Sequence, residues 1–426
     1  MTVTLSDSRC GAVERLDSAL EALAHTGAQI NSIVRIDADS ARRRAAELDA
    51  ESSTGRGIGP LAGLPISVKD SFDVEGMTSS HGIIGESHLA EADAPAVAQL
   101  RAAGCVIIGK SNVSRRLADY QADSEEFGQT RNPLDLERAA GGSSGGAAAV
   151  AAGHVALDLG SDMAGSVRLP AMFCGVAAWR PTHGVVSKGR HLPWPAHLRA
   201  TPPASTVGVI TRDVGELARP AEVLTRRQEV PSRSLTRIGV WMPEWPVTGS
   251  SVRAVIEAWI QRLRDAAIEV VPVIPRHGDE KALATYRGLI AAEIAHGVGD
   301  TSEAAPLLSL VEQQSAAREE WAELLTDVDA VVAPVAPVVA PLLSPVPIGE
   351  RLIDIDGRSH PADEMLTWCT LTSLNQAPSV TVRVGIDAAE GLPVGVQFIG
   401  RHHADLELIA GVAEWERRGL AGREMT

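Results

Sequence analysis

Two clusters of glycine and serine constrain this chain more than any other feature of its sequence. The first reads Ala140-Gly-Gly-Ser-Ser-Gly-Gly146, and the second reads Gly160-Ser-Asp-Met-Ala-Gly-Ser-Val-Arg168. Glycine-rich backbone lets several N–H groups converge on one oxyanion, and a serine beside them can attack a carbonyl group if a neighbouring base takes its proton. No histidine accompanies either cluster closely. The obvious base is therefore a lysine, in the upstream apolar segment Leu64-Pro-Ile-Ser-Val-Lys-Asp70.

These three segments resemble the amidase signature family, serine hydrolases that use a Ser–Ser–Lys triad. A lone Gly-Gly-Ser-Ser-Gly-Gly run would be typical of any flexible loop, but the resemblance covers most of the chain. Further segments match the family in order: Ile30-Asn-Ser-Ile-Val34, Gly109-Lys-Ser-Asn112, Gly128-Gln-Thr-Arg-Asn-Pro133, Asp329-Ala-Val-Val-Ala-Pro334 and Gly391-Leu-Pro-Val-Gly-Val-Gln-Phe-Ile-Gly400. The chain is therefore identified as a member of this family.

The resemblance implies an α/β class and the amidase signature fold, a large mixed twisted β-sheet covered by helices on both faces. The residues support the α/β class, because apolar runs at 64–69 and 105–108 are typical of buried strands and 94–103 between them is typical of a helix. No Pro/Gly/Ser linker interrupts the chain, so we expect a single domain over residues 1–426. Within it we expect a catalytic core at about 60–215, a variable helical region at about 219–326 and a return of the core at about 327–420.

Apolar periodicity predicts the remaining elements. Ala12 to Asp49 is predicted to form two amphipathic helices with a polar break near Thr26-Gly27. A helix at 147–152 and a strand at 155–159 are predicted between the serine clusters. Further along, the sequence predicts strands at 238–241, 268–273, 330–334 and 379–384, and helices at 250–267, 281–295, 304–325 and 404–418.

Composition argues against several classes of protein. The formal net charge is −15, whereas nucleic-acid binding depends on clustered Lys and Arg, so we expect no nucleic-acid partner. The four cysteines are scattered without metal-ligand spacing, which favours a reduced compartment and no disulfide framework. The N-terminus lacks the features of a signal peptide, and no apolar run is long enough to span a bilayer. We therefore expect a cytoplasmic protein that does not act at a membrane.

Ser166 is the candidate nucleophile. By resemblance, the backbone N–H groups of Met163, Ala164, Gly165 and Ser166 itself form the oxyanion hole. The chain departs from the family at position 164, which is usually glycine. A Cβ at positive φ would be strained by about 1–2 kcal/mol, so we expect negative φ at Ala164 and a slightly narrower pocket.

Ser143 is the candidate bridging serine, which in the family follows a cis peptide bond and relays a proton between the lysine and the nucleophile. Ser166 follows Ser143 by 23 residues, one fewer than the usual family spacing. This difference leaves it open whether Ser143 or Ser144 bridges, and the intact glycine frame favours Ser143. Lys69 is the candidate base, because burial at the end of an apolar strand lowers the pKa of a lysine.

Asp162 and Arg168 flank the nucleophile. The resemblance makes them supporting residues that hold the loop through hydrogen bonds and a buried ion pair, and a contact of Arg168 with a substrate carboxylate is the less favoured interpretation. His81, His183 and His360 could each be imagined as a base, but no Gly-x-Ser-x-Gly elbow accompanies them.

The leading hypothesis is an amidase that hydrolyses a carboxamide C–N bond through an acyl-enzyme, with a small-molecule amide as its partner and with no metal or organic cofactor. The alternatives are a glutamine-hydrolysing amidotransferase component, a biosynthetic acyltransferase on the same scaffold, or a binding protein without activity. Retention of Lys69, Ser143 and Ser166 argues against the last of these. A homodimer is among the arrangements that the sequence permits.

Overall fold

Eleven strands form one mixed β-sheet in the computed structural model, which describes residues 10–54, 59–194, 201–227, 234–297 and 304–425. In chain order they are β1 (Ile33–Ile36), β2 (Pro65–Lys69), β3 (Val106–Ser111), β4 (Leu157–Asp162), β5 (Ala177–Arg180), β6 (Thr206–Thr211), β7 (Arg237–Val240), β8 (Glu269–Pro272), β9 (Ala330–Pro334), β10 (Ser379–Ile386) and β11 (Pro393–Ile399).

The spatial order of the strands is β1-β3-β2-β4-β6-β5-β10-β11-β9-β7-β8. The β3–β2, β2–β4, β9–β7 and β7–β8 pairs are parallel, and the other neighbours are antiparallel. Every residue of β4, β6 and β11 is buried. Because successive side chains of a strand point to opposite faces, the sheet must be covered on both faces at its centre.

The helices within the described residues run along the chain between these strands. They are α1 (Ala12–Ile30), α2 (Ala38–Ser53), α3 (Pro95–Ala102), α4 (Gly146–Ala151), α5 (Arg168–Cys174), α6 (Ala218–Thr225), α7 (Ser250–Asp265), α8 (Glu280–Gly297), α9 (Ala304–Asp327), α10 (Thr367–Leu374) and α11 (Asp405–Arg417). Short 3-10 helices lie at Arg115–Leu117, Val214–Leu217 and Ala362–Leu366. Two-stranded sheets pair Thr78–Ser80 with Ser87–Leu89, Asp123–Ser124 with Gly128–Gln129, Arg131–Asn132 with Asp135–Ala139, and Leu352–Ile355 with Arg358–Pro361.

The predicted mixed α/β sheet in a single domain is confirmed. The strands β7 and β8 come from the middle of the chain, between α6 and α8, and they join the same sheet as the strands on either side of them in sequence. No helix in the described part of the chain is long and apolar enough to cross a membrane.

The predicted helix break near Thr26-Gly27 is wrong. The Thr26 hydroxyl donates to the Ala22 carbonyl within the helix. This polar side chain is therefore accommodated in a continuous helix. Helix α1 continues instead to Ile30, and its C-cap Asn31 has φ 55° and donates its N–H to the Gly27 carbonyl at 2.7 Å. The short strand β1, which the sequence did not predict, then pairs with β3 before α2 begins.

The sheet places Lys69 and the second serine cluster at the same end of two neighbouring strands. Strands β2 and β4 are parallel neighbours, with Val68 opposite Leu159. Their carboxyl ends therefore lie side by side, which places Lys69 next to Ser161 and Asp162. The chain then continues from β4 directly into the second serine cluster and α5.

Candidate active site

Lys69 is fully buried at the end of β2. Its Nζ lies 2.7 Å from Ser143 Oγ, 3.0 Å from Ser161 Oγ and 3.4 Å from the Ser161 carbonyl oxygen. Burial lowers the pKa of Lys69 to about 7. The charge of Asp158 opposes this lowering, and the charge of Lys188 adds to it. A substantial fraction of the lysine is therefore a neutral amine near neutral pH, and only that form can accept a proton.

Ser143 lies between Lys69 and Ser166. The peptide bond that joins Gly142 to Ser143 is cis, as the resemblance implies. The Ser143 Oγ lies 2.7 Å from Lys69 Nζ on one side and 3.2 Å from Ser166 Oγ on the other. An uninterrupted path of hydrogen bonds thus runs from the amine to the second serine cluster.

Ser144 points elsewhere. Its hydroxyl lies 3.3 Å from Ser111 Oγ, donates to Asp158 Oδ2 at 3.4 Å, and accepts a hydrogen bond from the Gly146 N–H at 3.0 Å. It therefore stabilises the start of α4, and the geometry favours Ser143 for the bridging position despite the short spacing.

Ser166 lies in the turn before α5 and is partly exposed to solvent. The N–H groups of Met163, Ala164 and Ser166 donate to no protein acceptor within the described residues. The φ of Ala164 is not positive. This agrees with the expectation from its Cβ. Gly165 has φ +111°, and a Cβ there would lie 2.7 Å from the Cβ of Cys369, so only glycine fits.

The Gly165 N–H, which the resemblance places in the oxyanion hole, differs from the other N–H groups of the loop in having a partner in the protein. That N–H donates to Asp162 Oδ1 at 2.9 Å, so it is already used by a carboxylate. The candidate hole is therefore reduced to the N–H groups of Met163, Ala164 and Ser166. The role of Gly165 is to let the backbone turn where no side chain would fit.

Asp162 and Arg168 form a fully buried ion pair, with Arg168 Nη2 2.8 Å from Asp162 Oδ1. Asp162 also accepts hydrogen bonds from the N–H groups of Val167 and Arg168, and the two arginines Arg168 and Arg180 hold its pKa well below the ordinary value despite burial. The remaining Arg168 donors are taken by Thr372, Gln397, Cys369 and Ser373. No donor of Arg168 is left for a substrate carboxylate, so the less favoured interpretation of this residue is wrong.

The sequence of this chain matches known proteins over most of its length. The Amidase family model matches residues 14–301 and 291–409. The chain belongs to the amidase family. A glutamyl-tRNA(Gln) amidotransferase subunit of Symbiobacterium thermophilum is 32% identical, and the match covers 93% of this chain and 91% of that protein. The AtzE subunit of the 1-carboxybiuret hydrolase of Pseudomonas sp. (strain ADP) is 30% identical, with 93% and 92% covered.

A solved structure described as an amidase has the same fold. It matches with a TM-score of 0.84 at 27% sequence identity, and the match covers 97% of this chain and 98% of that one. The sequence-based prediction of the family and of its fold is therefore confirmed.

Helix α8 supports residues 163–166, the candidate nucleophile loop of this amidase-family chain, through Tyr286. The Tyr286 hydroxyl lies 2.6 Å from the Met163 carbonyl oxygen and 2.7 Å from that of Ala204. The carbonyl of Met163 and the N–H of Ala164 belong to one planar peptide and point in opposite directions. A partner at the carbonyl therefore fixes the direction of a candidate oxyanion donor.

A cavity of about 430 Å³ lies along α8, and the residues that line it include none of the relay and none of the 163–166 loop. Leu283, Ala284 and Arg287, which flank Tyr286 on α8, line it on one side. Thr367 lines it too, two residues before the Cys369 that packs against Gly165. The other lining residues are Trp245, Pro246, Val247, Glu280, Pro337, Pro361, Asp363 and Glu364. The cavity is thus separated from Ser166 by residues such as Tyr286 and Cys369, whose sequence neighbours line it.

Several site residues were not singled out in the sequence. Ser161 contacts Lys69, and His191 contacts Ser161 at 2.8 Å. The histidines considered as bases lie elsewhere: His81 contacts Glu86, His183 contacts the Pro202 carbonyl, and His360 contacts Glu364. None of these contacts involves either serine of the relay.

Proposed function

We propose that this chain is an amidase that hydrolyses the C–N bond of a small-molecule carboxamide, with Ser166 as the nucleophile, Ser143 as the relay and Lys69 as the base. The observation that carries this proposal is the path of two hydrogen bonds, Lys69 Nζ to Ser143 Oγ at 2.7 Å and Ser143 Oγ to Ser166 Oγ at 3.2 Å. A serine becomes nucleophilic when a base within hydrogen-bond reach takes its proton.

In the acylation step, neutral Lys69 takes the Ser143 hydroxyl proton while Ser143 takes that of Ser166. The Ser166 oxygen attacks the amide carbon, and the resulting oxyanion accepts hydrogen bonds from the free N–H groups of the 163–166 loop. Loss of one such donor typically lowers kcat by about 10²–10³. The proton on Lys69 then returns through Ser143 to the amide nitrogen, the C–N bond breaks, and ammonia or an amine leaves.

In the deacylation step, a water molecule gives its proton to the same relay and attacks the ester of Ser166. The carboxylic acid is released, and Ser166 regains its proton. Each proton that leaves a nucleophile is thus returned to a leaving group, and the enzyme ends in its starting state.

A second candidate function is that of an amidotransferase component, in which ammonia passes to a partner protein. It is favoured by the 32% identity to a glutamyl-tRNA(Gln) amidotransferase subunit. Glutaminase activity that depends on added partner proteins would support it, whereas release of ammonia from free amides by the purified chain supports the amidase.

The same purified sample, passed through size exclusion with light scattering, shows whether the enzyme is a monomer or a homodimer. A biosynthetic acyltransferase would be indicated by transfer of the acyl group to an added amine or alcohol in preference to water.

The roles of the three residues are tested with a fluorophosphonate probe, which labels an activated serine irrespective of the natural substrate. We expect the wild-type protein to be labelled at Ser166, and Ser166→Ala to lose labelling and amide turnover while keeping its circular dichroism spectrum. Ser143→Ala should lower the labelling rate by about 10²-fold or more, the lower end of what a positioned proton-transfer group contributes. Ser144→Ala is the matched control and should lose much less. Labelling of a different serine would overturn the assignment.

A further inference from the structure

A neutral lysine amine has one lone pair and two N–H bonds, and their directions decide whether it can act as a base. In the proposed relay the lone pair must face the Ser143 hydroxyl, 2.7 Å away. The two N–H bonds are then left for the two other neighbours of Nζ. These are the carbonyl oxygen of Ser161 at 3.4 Å and the hydroxyl oxygen of Ser161 at 3.0 Å.

The Ser161 hydroxyl can make or break this arrangement. If it donates its proton to Lys69, it occupies the lone pair that the relay needs, and Lys69 cannot take a proton from Ser143. If it accepts from Lys69, its own proton must go to a different acceptor. His191 Nε2 lies 2.8 Å from Ser161 Oγ, on a side chain that is itself buried.

His191 is held in a fixed position at the edge of the relay. Its ring packs edge-on against Phe72, with the centroids 4.4 Å apart and an interplanar angle of 75°. The Ser71 hydroxyl lies 3.0 Å from the same Nε2, and the Leu192 N–H donates to the Ser71 carbonyl at 2.8 Å. The histidine therefore cannot turn away from Ser161 without disrupting its neighbours.

The surroundings of His191 keep its ring neutral. Burial and the nearby charges of Lys188, Lys69 and Lys110 hold the pKa of His191 well below its ordinary value. A neutral imidazole has one ring nitrogen with a free lone pair, which can accept a hydroxyl proton. With the lone pair on Nε2, the ring proton is on Nδ1, which finds no acceptor on another described residue. Nε2 contacts the hydroxyls of Ser71 and Ser161.

We propose that His191 is a positioning residue: its unprotonated Nε2 accepts the Ser161 hydroxyl proton, so that Ser161 accepts an N–H of Lys69 and the Lys69 lone pair faces Ser143. This inference rests on the proposed function, because it concerns the base of that relay. His191 does not touch the reacting atoms. It selects, among the two directions that the Ser161 proton could take, the one that leaves Lys69 able to act.

The experiment measures the second-order rate constant of fluorophosphonate labelling at Ser166. His191→Leu removes the acceptor and keeps an apolar side chain, and we expect it to lower the rate constant by about 10²-fold, within the range that a positioned base contributes. His191→Gln keeps an oxygen acceptor and should recover a large part of the rate. His154→Leu is the matched control, since it replaces another buried histidine, whose ring nitrogens contact the hydroxyls of Thr26 and Ser32 and not the relay, and it should label at close to the wild-type rate.

A purely structural role for His191 predicts a different result. It would reduce the fraction of protein that can be labelled and the melting temperature, and His191→Gln would not restore the rate constant. The decisive comparison uses the Lys69→Ala background. If His191 acts through Lys69, His191→Leu should add no further loss there, because residues that share one interaction are not additive.

The possible failures are distinct. If the wild-type protein is not labelled at Ser166, the proposed function fails. If the wild type is labelled and His191→Leu labels at the same rate, or lowers the rate equally with and without Lys69, the inference about His191 is wrong and the proposed function stands.

Discussion

At the scale of single residues, position 165 shows how closely the nucleophile loop is fitted to its surroundings. Gly165 has φ +111°, and a Cβ there would lie 2.7 Å from the Cβ and 2.9 Å from the Sγ of Cys369. Gly165→Ala should therefore displace the loop and lower kcat by about 10²-fold or more, the loss expected when an oxyanion donor moves out of place. Gly391→Ala is the matched control, because Gly391 also has positive φ but has open space around it. Equal losses of activity in the two variants would contradict the argument.

The protonation of Lys69 predicts how the rate depends on pH. Burial lowers the pKa of Lys69 to about 7, and only the neutral amine can start the relay. The sign follows directly: below about pH 7 the amine is increasingly protonated, so kcat/KM should fall about tenfold per pH unit, and above that value it should reach a plateau. A profile that is flat from about pH 6 to about pH 9, with acylation rate-limiting, would argue against a lysine base.

A buried carboxylate offers a control for this pH profile. The charge of Asp158 favours the ammonium form of Lys69 more than that of Asp162 does, and burial raises the pKa of Asp158 itself to about 6. Asp158→Asn removes this charge, so the pKa of Lys69 should fall and the acid limb of the profile should move to lower pH. An unshifted limb, or one that moves to higher pH, would show that the limb does not report Lys69.

At the scale of secondary structure elements, helix α8 fixes the nucleophile loop from a position far away in sequence. Tyr286→Phe removes the hydroxyl that contacts the carbonyl oxygens of Met163 and Ala204. The peptide between Met163 and Ala164 is then free to rotate, and we expect kcat to fall by about tenfold or more, a fraction of the loss of a whole oxyanion donor. Tyr120→Phe is the matched control, because it also removes a tyrosine hydroxyl, but one that pairs with Arg351 and not with the 163–166 loop. An unchanged kcat in Tyr286→Phe would show that the helix does not orient the loop.

The elements that the sequence predicted well are those with a local signal. Strands β2 and β3 come from short apolar runs. Lys69, Ser143 and Ser166, which the structure brings together, each lie in a segment that resembles a known family. Strand β1 was missed since four residues between two helices carry little periodicity, and it is stabilised by pairing with β3. Such pairing depends on the tertiary fold and cannot be detected in the local pattern of apolar and polar residues.

The parts of the candidate site that could not be predicted are held by contacts between distant segments. His191 lies 30 residues from Ser161, and Tyr286 lies 123 residues from Met163. Neither residue belongs to a recognisable motif. The Gly165 N–H was assigned to the oxyanion hole by resemblance, and Asp162 was expected to pair with Arg168, whereas Asp162 accepts from both of them. Sequence spacing identifies which residues share a loop, but it does not show which way each N–H points.

At the scale of the whole molecule, we propose that the cavity along α8, which no residue of the relay or of the 163–166 loop lines, binds the acyl group of the substrate. Its volume of about 430 Å³ lies within the range of about 300–1,000 Å³ that is typical of small-molecule sites. Its wall combines apolar residues such as Trp245 and Leu283 with the ion pair of Arg287 and Asp363, whose closest atoms are 2.7 Å apart. A small amide such as acetamide would leave this volume unfilled.

We therefore expect kcat/KM to rise with acyl size across a series of primary amides, from acetamide and propionamide to larger members. Binding energy from the acyl group can orient the reacting carbon, so truncated substrates should lose kcat as well as affinity. Leu283→Phe, which would fill part of the cavity, should lower kcat/KM for the large amides and leave that for acetamide nearly unchanged. If acetamide is as good a substrate as the largest soluble member, or if Leu283→Phe affects all members equally, the cavity does not bind the acyl group and a small aliphatic amidase becomes the better description.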